Sequence, residues 1–243
     1  MQINLIPGFS QPPAVWDRTR DALPETARSA AAALDVPDAQ DFVATATALG
    51  NLGGTGIYVG YSMGGRLALR LAVDRPELVR ALVLVSASPG IEPNADRTTR
   101  RAADLARARD IDALGVEQFL ADWLAQPLFA TVPPDATMAA ARVAAMSAAR
   151  LKHQMTSLGQ GAMEPLWSRL GELTMPVTIV VGRADARYSE IGRAMVNRIG
   201  AARLVELAGG HALPLEQPEP LAAVLATIHG VAVHDSTVHG ATE

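Results

Sequence analysis

Three residue types, far apart in the chain, could together activate a hydroxyl. Gly60-Tyr61-Ser62-Met63-Gly64 reads G-x-S-x-G, with Gly65 immediately after it. It lies between an apolar, β-branched run (Gly56 to Gly60) and a stretch of helical composition (Gly64 to Val73). That context predicts a sharp strand-to-helix turn presenting Ser62 as a nucleophile or base. Small flanking residues are needed because the strand and helix approach closely there. The following helix also aims its N-terminal amides at the site, which favours developing negative charge. A phosphate-binding turn is the competing reading. However, Gly54-Thr55-Gly56 is followed by Val59 where a third glycine would stand, and no Gly-Lys-Ser/Thr follows.

A serine hydroxyl of ordinary acidity needs a base, and the base needs an orienting carboxylate. Of His153, His211, His229, His234 and His239, His211 alone follows a strand-like run, Ala202 to Leu207, through Gly209-Gly210. Asp185 follows another such run, Pro176 to Gly182, in Gly182-Arg183-Ala184-Asp185. The order Ser, acid, His fits this topology. Asp185 as a plain helix cap is the alternative. The run Val79 to Ser86 is followed by Ser86, Ala87 and Ser88, with no carboxylate nearby. An oxyanion site needs two amides. Met63, after the serine, and Phe9, in the loop Pro7-Gly8-Phe9-Ser10 after the first apolar run, are the expected donors.

The elements that position these residues are strand and helix in alternation. Gln2 to Ile6, 56–60, 79–86, 176–182 and 202–207 read as buried strands. Arg28 to Val36 holds a further apolar run. Helices are expected at 14–23, 39–49, 64–73, around Val196 and Ile199, and at 221–228. Continuous apolar strands between helices predict an α/β fold with a mostly parallel sheet covered on both faces. Between the strands at 79–86 and 176–182 lie about 90 residues, more than a crossover needs. Residues 91–165 show no strand-like run and are broken at Pro127 and Pro133-Pro134, which predicts an inserted helical lid. The core is then 1–90 with 166–229, and 230–243 is expected as a flexible tail.

Composition sets the remaining bounds. The 243 residues are 49% hydrophobic and 19% charged, which suits one globular unit. No cysteine is present, which excludes disulfides, thiolate metal sites and cysteine nucleophiles. A net charge of −4 without a long basic run argues against nucleic acid. No apolar run spans a membrane and no signal peptide is read at the start, so a cytoplasmic protein is expected. No metal cluster or nucleotide motif appears, so no cofactor is expected. The sequence leaves the oligomeric state open, a monomer being compatible with it.

Pro-Gly-Phe, GYSMGG, GRAD and GGHALPLEQPEPL resemble the signature set of the α/β-hydrolase fold over about residues 3–229. Within that superfamily the lid is the more specific part. Ser86-Ala87-Ser88-Pro89-Gly90, an arginine-rich helix, Phe119-Leu120-Ala121-Asp122-Trp123, Gln126-Pro127-Leu128-Phe129 and Leu158-Gly159-Gln160-Gly161 resemble the MenH family. Three departures stand beside the resemblance. Pro7 replaces the family's usual histidine, the chain begins at the family's third strand, and the Gly-His-Gly-x-Ser after the second strand is missing.

The resemblance implies a lyase. It would eliminate pyruvate from 2-succinyl-5-enolpyruvyl-6-hydroxy-3-cyclohexene-1-carboxylate, giving 2-succinyl-6-hydroxy-2,4-cyclohexadiene-1-carboxylate, a step of menaquinone biosynthesis. Ser62 would be the base, His211 would relay the proton and Asp185 would fix the imidazole tautomer. The partner would be a small polycarboxylate, which calls for arginines. By motif, Arg66, Arg100 and Trp123 correspond to substrate-binding positions, and Arg142 does so less closely. Tyr61 divides evenly between core packing and substrate contact. Arg97, Arg101, Arg107 and Arg109 are read as a solvated helix face, and Met138, Met146, Met155 and Met163 as lid core. A serine carboxylesterase or C–C bond hydrolase working through an acyl-serine is the alternative. A non-catalytic binding protein of the same fold is a third reading, disfavoured by the intact Ser62, Asp185 and His211.

Overall fold

The computed structural model describes residues 1–239. Six strands, β1 (Ile3–Ile6), β2 (Ala31–Ala33), β3 (Gly56–Tyr61), β4 (Val79–Val85), β5 (Val177–Gly182) and β6 (Ala202–Leu207), form one sheet in the order β2-β1-β3-β4-β5-β6. Every pairing is parallel. The strands read as continuous apolar runs because both faces are buried. On β3 and β4, Tyr58, Leu82 and Leu84 point into one core layer, while Ile57, Val59, Val83 and Val85 point into the other.

Among the described residues ten α-helices accompany the sheet: α1 (Asp17–Asp21), α2 (Glu25–Arg28), α3 (Phe42–Gly53), α4 (Met63–Asp74), α5 (Asn94–Leu124), α6 (Ala139–Ala145), α7 (Ala148–Thr156), α8 (Ala186–Val196), α9 (Leu213–Glu216) and α10 (Pro218–His239). Leu67 and Leu71 of α4, Leu49 of α3 and Met195 of α8 fill the first layer. Leu221 and Leu225 of α10 and Trp16 fill the second. Between β4 and β5 no strand forms. That segment carries α5, which is kinked at Gly115 (φ 79°), together with α6 and α7. Ala108, Ile111, Phe119, Leu120, Met146, Leu151 and Met155 give it an apolar cluster of its own.

Several expected boundaries move, each for a local reason. The helix expected at 14–23 is a 3-10 turn, Pro13–Trp16, running into α1. The helix expected at 39–49 starts at Phe42, because the Asp41 carboxylate accepts from the Ala44 amide at 2.9 Å. It runs through Gly50 and ends at Gly53, before Gly54 (φ 59°). The flexible tail expected from 230 is instead helix as far as His239; residues 240–243 lie outside the described residues. A lone Gly230 costs a helix only about 1 kcal/mol, and Ala232 packs beyond it on the second layer. Of the methionines assigned to the lid core, Met146 and Met155 lie there, whereas Met163 belongs to the first central layer and Met138 packs on the second.

Parallel strands put all their C-terminal ends on one edge, so the loops after β1, β3, β5 and β6 meet there. The tightest of these joins is β3 to α4. A Cβ on Gly60 would lie 2.3 Å from the Gly64 carbonyl oxygen, and one on Gly64 would lie 2.4 Å from that of Ile6. Both obstacles are backbone. Gly64→Ala is expected to cost on the order of 3 kcal/mol or more. A urea midpoint within experimental error of wild type would contradict this account of the turn.

Candidate active site

Ser62 sits at the end of β3 with φ 52° and ψ −108°, outside the regions an L-residue prefers. Such a conformation costs on the order of 1–3 kcal/mol and must be held by its surroundings. Here the Ser62 amide donates to the Val85 carbonyl at 2.9 Å, and its own carbonyl accepts from Arg66 N–H at 3.1 Å. The turn leaves the hydroxyl half-buried at the mouth of a cavity.

Two further loops bring the base and the acid. His211 Nε2 lies 3.1 Å from Ser62 Oγ, and His211 Nδ1 lies 2.8 Å from Asp185 Oδ2. His211 is 2% exposed and Asp185 8%. The two readings of Asp185 turn out to be compatible. Oδ1 caps α8 by accepting from the Tyr188 amide at 3.3 Å, while Oδ2 holds the imidazole. The acid and base loops are also tied directly, because the Ala184 amide donates to the Gly209 carbonyl at 2.9 Å. Tyr188 packs on the imidazole with ring centroids 4.6 Å apart. With Nδ1–H donating to the carboxylate, Nε2 is free to accept the Ser62 proton.

The loop after β1 is held by side chains. Gln11 Oε1 accepts from the Gly8 amide at 3.0 Å, and Gln154 of α7 accepts from the Ser10 amide at 2.9 Å. Arg142 donates to Ser10 Oγ at 2.9 Å and to the Phe9 carbonyl at 3.4 Å. The amides of Phe9 and Met63 donate to no other described residue, and both residues line the cavity. Two free donors beside a hydroxyl can stabilise an oxyanion.

Residues 5–224 match the model of the alpha/beta hydrolase family. The chain belongs to that family. It is 33% identical over 165 residues to a putative 2-succinyl-6-hydroxy-2,4-cyclohexadiene-1-carboxylate synthase of Bacillus subtilis; the match covers 66% of this chain and 60%, less than two thirds, of that protein. It is 29% identical over 237 residues to the synthase of the same name from Klebsiella pneumoniae, covering 91% of this chain and 90% of that one. Among solved structures, MenH from S. aureus superposes with a TM-score of 0.87 at 25% identity, over 95% of this chain and 94% of that chain.

On this alpha/beta hydrolase scaffold the cavity of about 370 Å³ is walled by arginines. Arg66, on α4, is 6% exposed and has no carboxylate partner among the described residues. Its guanidinium meets Met163 Sδ at 3.6 Å and lies 5.6 Å from the centre of the Phe42 ring. Burial, with Arg100 nearby, holds it down to about 10, so it is still cationic at neutral pH. Arg100 gives Nε to Asp104 at 2.7 Å and keeps its terminal fork unpaired among the described residues. Asp104 is 1% exposed, and its second oxygen has no hydrogen-bond partner among the described residues.

Trp123 packs against Phe9 in a tilted arrangement (4.6 Å between centroids, 58° between planes) and lines the same cavity. Arg142, 1% exposed, lies behind the loop that carries Phe9 and Ser10 and not on the main wall. Its Nη2 is unpartnered, and it borders a small hollow of about 30 Å³ shared with Ser62 and His211. Tyr61 is 2% exposed, so core packing wins, although its ring also borders that hollow.

The structure corrects one sequence reading and adds to others. Arg107 is no part of a solvated face: it lines the cavity, 5.9 Å from the centre of the Trp123 ring. Arg187, Gln154, Gln160 and Tyr188 also line it and were not singled out from sequence. Arg187 stands two residues past Asp185, so its position could have flagged it. Gln154 and Gln160 carry no comparable signal. Among the described residues no group of three His, Asp or Glu side chains converges as a metal site.

A buried cation without a partner burdens the fold and is useful only to an anion. Replacing it by an apolar residue of similar length should therefore separate stability from binding. Arg66→Met is expected to leave the melting temperature unchanged or raise it by ~2–4 °C. The same change should weaken binding of a tricarboxylate by about tenfold in calorimetry. A fall of the melting temperature with unchanged binding would mean that Arg66 is structural.

Proposed function

We propose that this protein eliminates pyruvate from 2-succinyl-5-enolpyruvyl-6-hydroxy-3-cyclohexene-1-carboxylate, as the names of its relatives suggest. The observation that carries the reading is the cavity wall. Arg66, Arg100, Arg107 and Arg187 line the cavity that Ser62 also lines, and Asp104 is the one carboxylate paired with any of them among the described residues. The proposed substrate carries three carboxylates, and arginine binds carboxylates through a planar fork.

The names of substrate and product define the bonds. The proton at C2, next to the succinyl ketone, is lost and a C2–C3 double bond forms. The ring double bond moves from C3–C4 to C4–C5, and the C5–O bond breaks. The departing enolpyruvyl group takes a proton and becomes pyruvate. Ser62 Oγ is the group that removes the C2 proton, passing its own to His211 Nε2, while Asp185 stabilises the imidazolium. Charge gathered on the ketone oxygen is met by the amides of Phe9 and Met63. Trp123 closes one side, and residues 91–165 serve as the lid. Arg142 supports the oxyanion loop from behind.

An acyl-serine hydrolase would use the same three side chains, and the charge of the wall is what separates the readings. A cytoplasmic location belongs with the proposal. No described helix is long and apolar enough to cross a membrane.

Pyruvate release from the enolpyruvyl substrate, followed by a coupled lactate dehydrogenase assay, tests the reaction. Ser62→Ala is expected to lower turnover by about 10³-fold or more while the protein stays folded. Ready hydrolysis of a neutral aryl ester with no pyruvate released would overturn the lyase in favour of the esterase.

A further inference from the structure

The loop that carries His211 is short and glycine-rich, Gly209-Gly210-His211-Ala212, and Gly209 has φ 112°. Such a loop has many conformations open to it unless something fixes the peptide planes on both sides of the imidazole. One side chain does so. Glu216 Oε2 accepts from the Gly210 amide at 2.6 Å and Oε1 accepts from the Ala212 amide at 2.9 Å. The two amides are those that flank His211. Glu216 is the last residue of α9, and its own amide returns to the Ala212 carbonyl at 3.0 Å. Leu215 adds a bond to the same carbonyl at 2.8 Å. The carboxylate thus closes a ring around the base, and among the described residues no other side chain is bonded to either amide.

We infer that Glu216 is the positioning residue of His211: it holds the imidazole between Ser62 and Asp185 by gripping the peptide on each side of it. The inference rests on the triad as proposed, and is independent of which substrate the site takes. Its chemistry is specific to a carboxylate. Two N–H groups converge on two oxygens, and each needs an acceptor. An amide in place of the acid would keep one acceptor and present an N–H₂ to the other donor, which is repulsive. A negative charge facing two amide donors also makes these bonds stronger than neutral ones. The imidazole must stay within about 3 Å of the hydroxyl for proton transfer, so small rotations of this loop fall directly on the rate.

The test compares wild type with Glu216→Gln and Glu216→Asp. Each is scored for folded fraction by circular dichroism under assay conditions. The first readout is the rate at which a fluorophosphonate labels Ser62, where the hydroxyl oxygen displaces fluoride from phosphorus and its proton goes to His211. The second is the downfield proton resonance of His211 Nδ1–H. Per folded molecule, Glu216→Gln is expected to label at least tenfold more slowly. Its resonance should broaden or shift upfield, and kcat should fall at least tenfold with KM changed less than threefold. Glu216→Asp, one methylene shorter and able to reach a single amide, should move in the same direction by a smaller factor. It carries the test if the Gln form does not fold.

A folded variant with the wild-type labelling rate and an unchanged resonance would overturn the assignment. So would losses that track the unfolded fraction alone. A wild-type protein inert to the phosphonate would overturn the triad and this assignment together, whereas a reactive wild type with an equally reactive variant would overturn this assignment alone.

Discussion

Everything at this site depends on one imidazole making two hydrogen bonds at once, to a carboxylate at 2.8 Å and to a hydroxyl at 3.1 Å, while almost wholly excluded from water. Three loops, from β3, β5 and β6, must agree in position to within a few tenths of an ångström. The parallel sheet makes that possible by delivering all three to one edge. The backbone bond from Ala184 to Gly209 then locks the acid loop to the base loop, without a side chain. Gly182 shows how close that contact is, since a Cβ there would lie 2.0 Å from the Gly210 carbonyl oxygen. The precision of the triad is therefore a property of backbone packing before it is a property of the three side chains.

Charge is handled in the opposite way. A fold seeking stability alone would pair each buried cation with an anion or replace it by an apolar residue. Arg66 has neither, and the second oxygen of Asp104 and Nη2 of Arg142 are buried without partners. These groups lie around one cavity or directly behind it, while the surface arginines are mostly paired, as in Arg169 with Glu172 and Asp74. The unpaired cations are a cost of folding that an anionic ligand would offset. Arg100 shows the arrangement most clearly. Asp104 takes only Nε, which leaves the fork of this cavity-lining residue unpaired among the described residues.

Much of this was legible in the residues, for identifiable reasons. Strands buried on both faces are written as short apolar runs, and β3, β4, β5 and β6 were read within one or two residues of their ends. Ser62, Asp185 and His211 were legible because each follows such a run. The loops after them need small residues, and glycine is visible in a sequence. What escaped was whatever depends on a neighbour far along the chain. Arg107 looks like a solvated residue on a charged helix until Trp123, sixteen positions on, folds back beneath it across the Gly115 kink. Gln154 is an ordinary helical glutamine until the Ser10 amide meets it, 144 residues away. The continuation of α10 past Gly230 was missed because a single glycine is a weak stop when the next turn still has a surface to pack on.

The division of labour along the chain follows from the same contacts. The sheet edge brings Ser62, His211 and Asp185 together. The insertion between β4 and β5 supplies Arg100, Arg107 and Trp123, which wall the cavity beside them. The two are not independent layers. Gln154 and Arg142, both from the insertion, hold the loop that carries the Phe9 amide, and Thr131 packs against Gly210 so closely that a Cβ there would lie 2.2 Å from its hydroxyl oxygen. A substitution at Gln154, Arg142 or Thr131 therefore reaches the loops that carry Phe9 and His211 as well as the cavity wall. The insertion is thus both a wall of the cavity and a brace for the backbone beside it, so the shape of the cavity and the geometry of the three side chains cannot be altered separately.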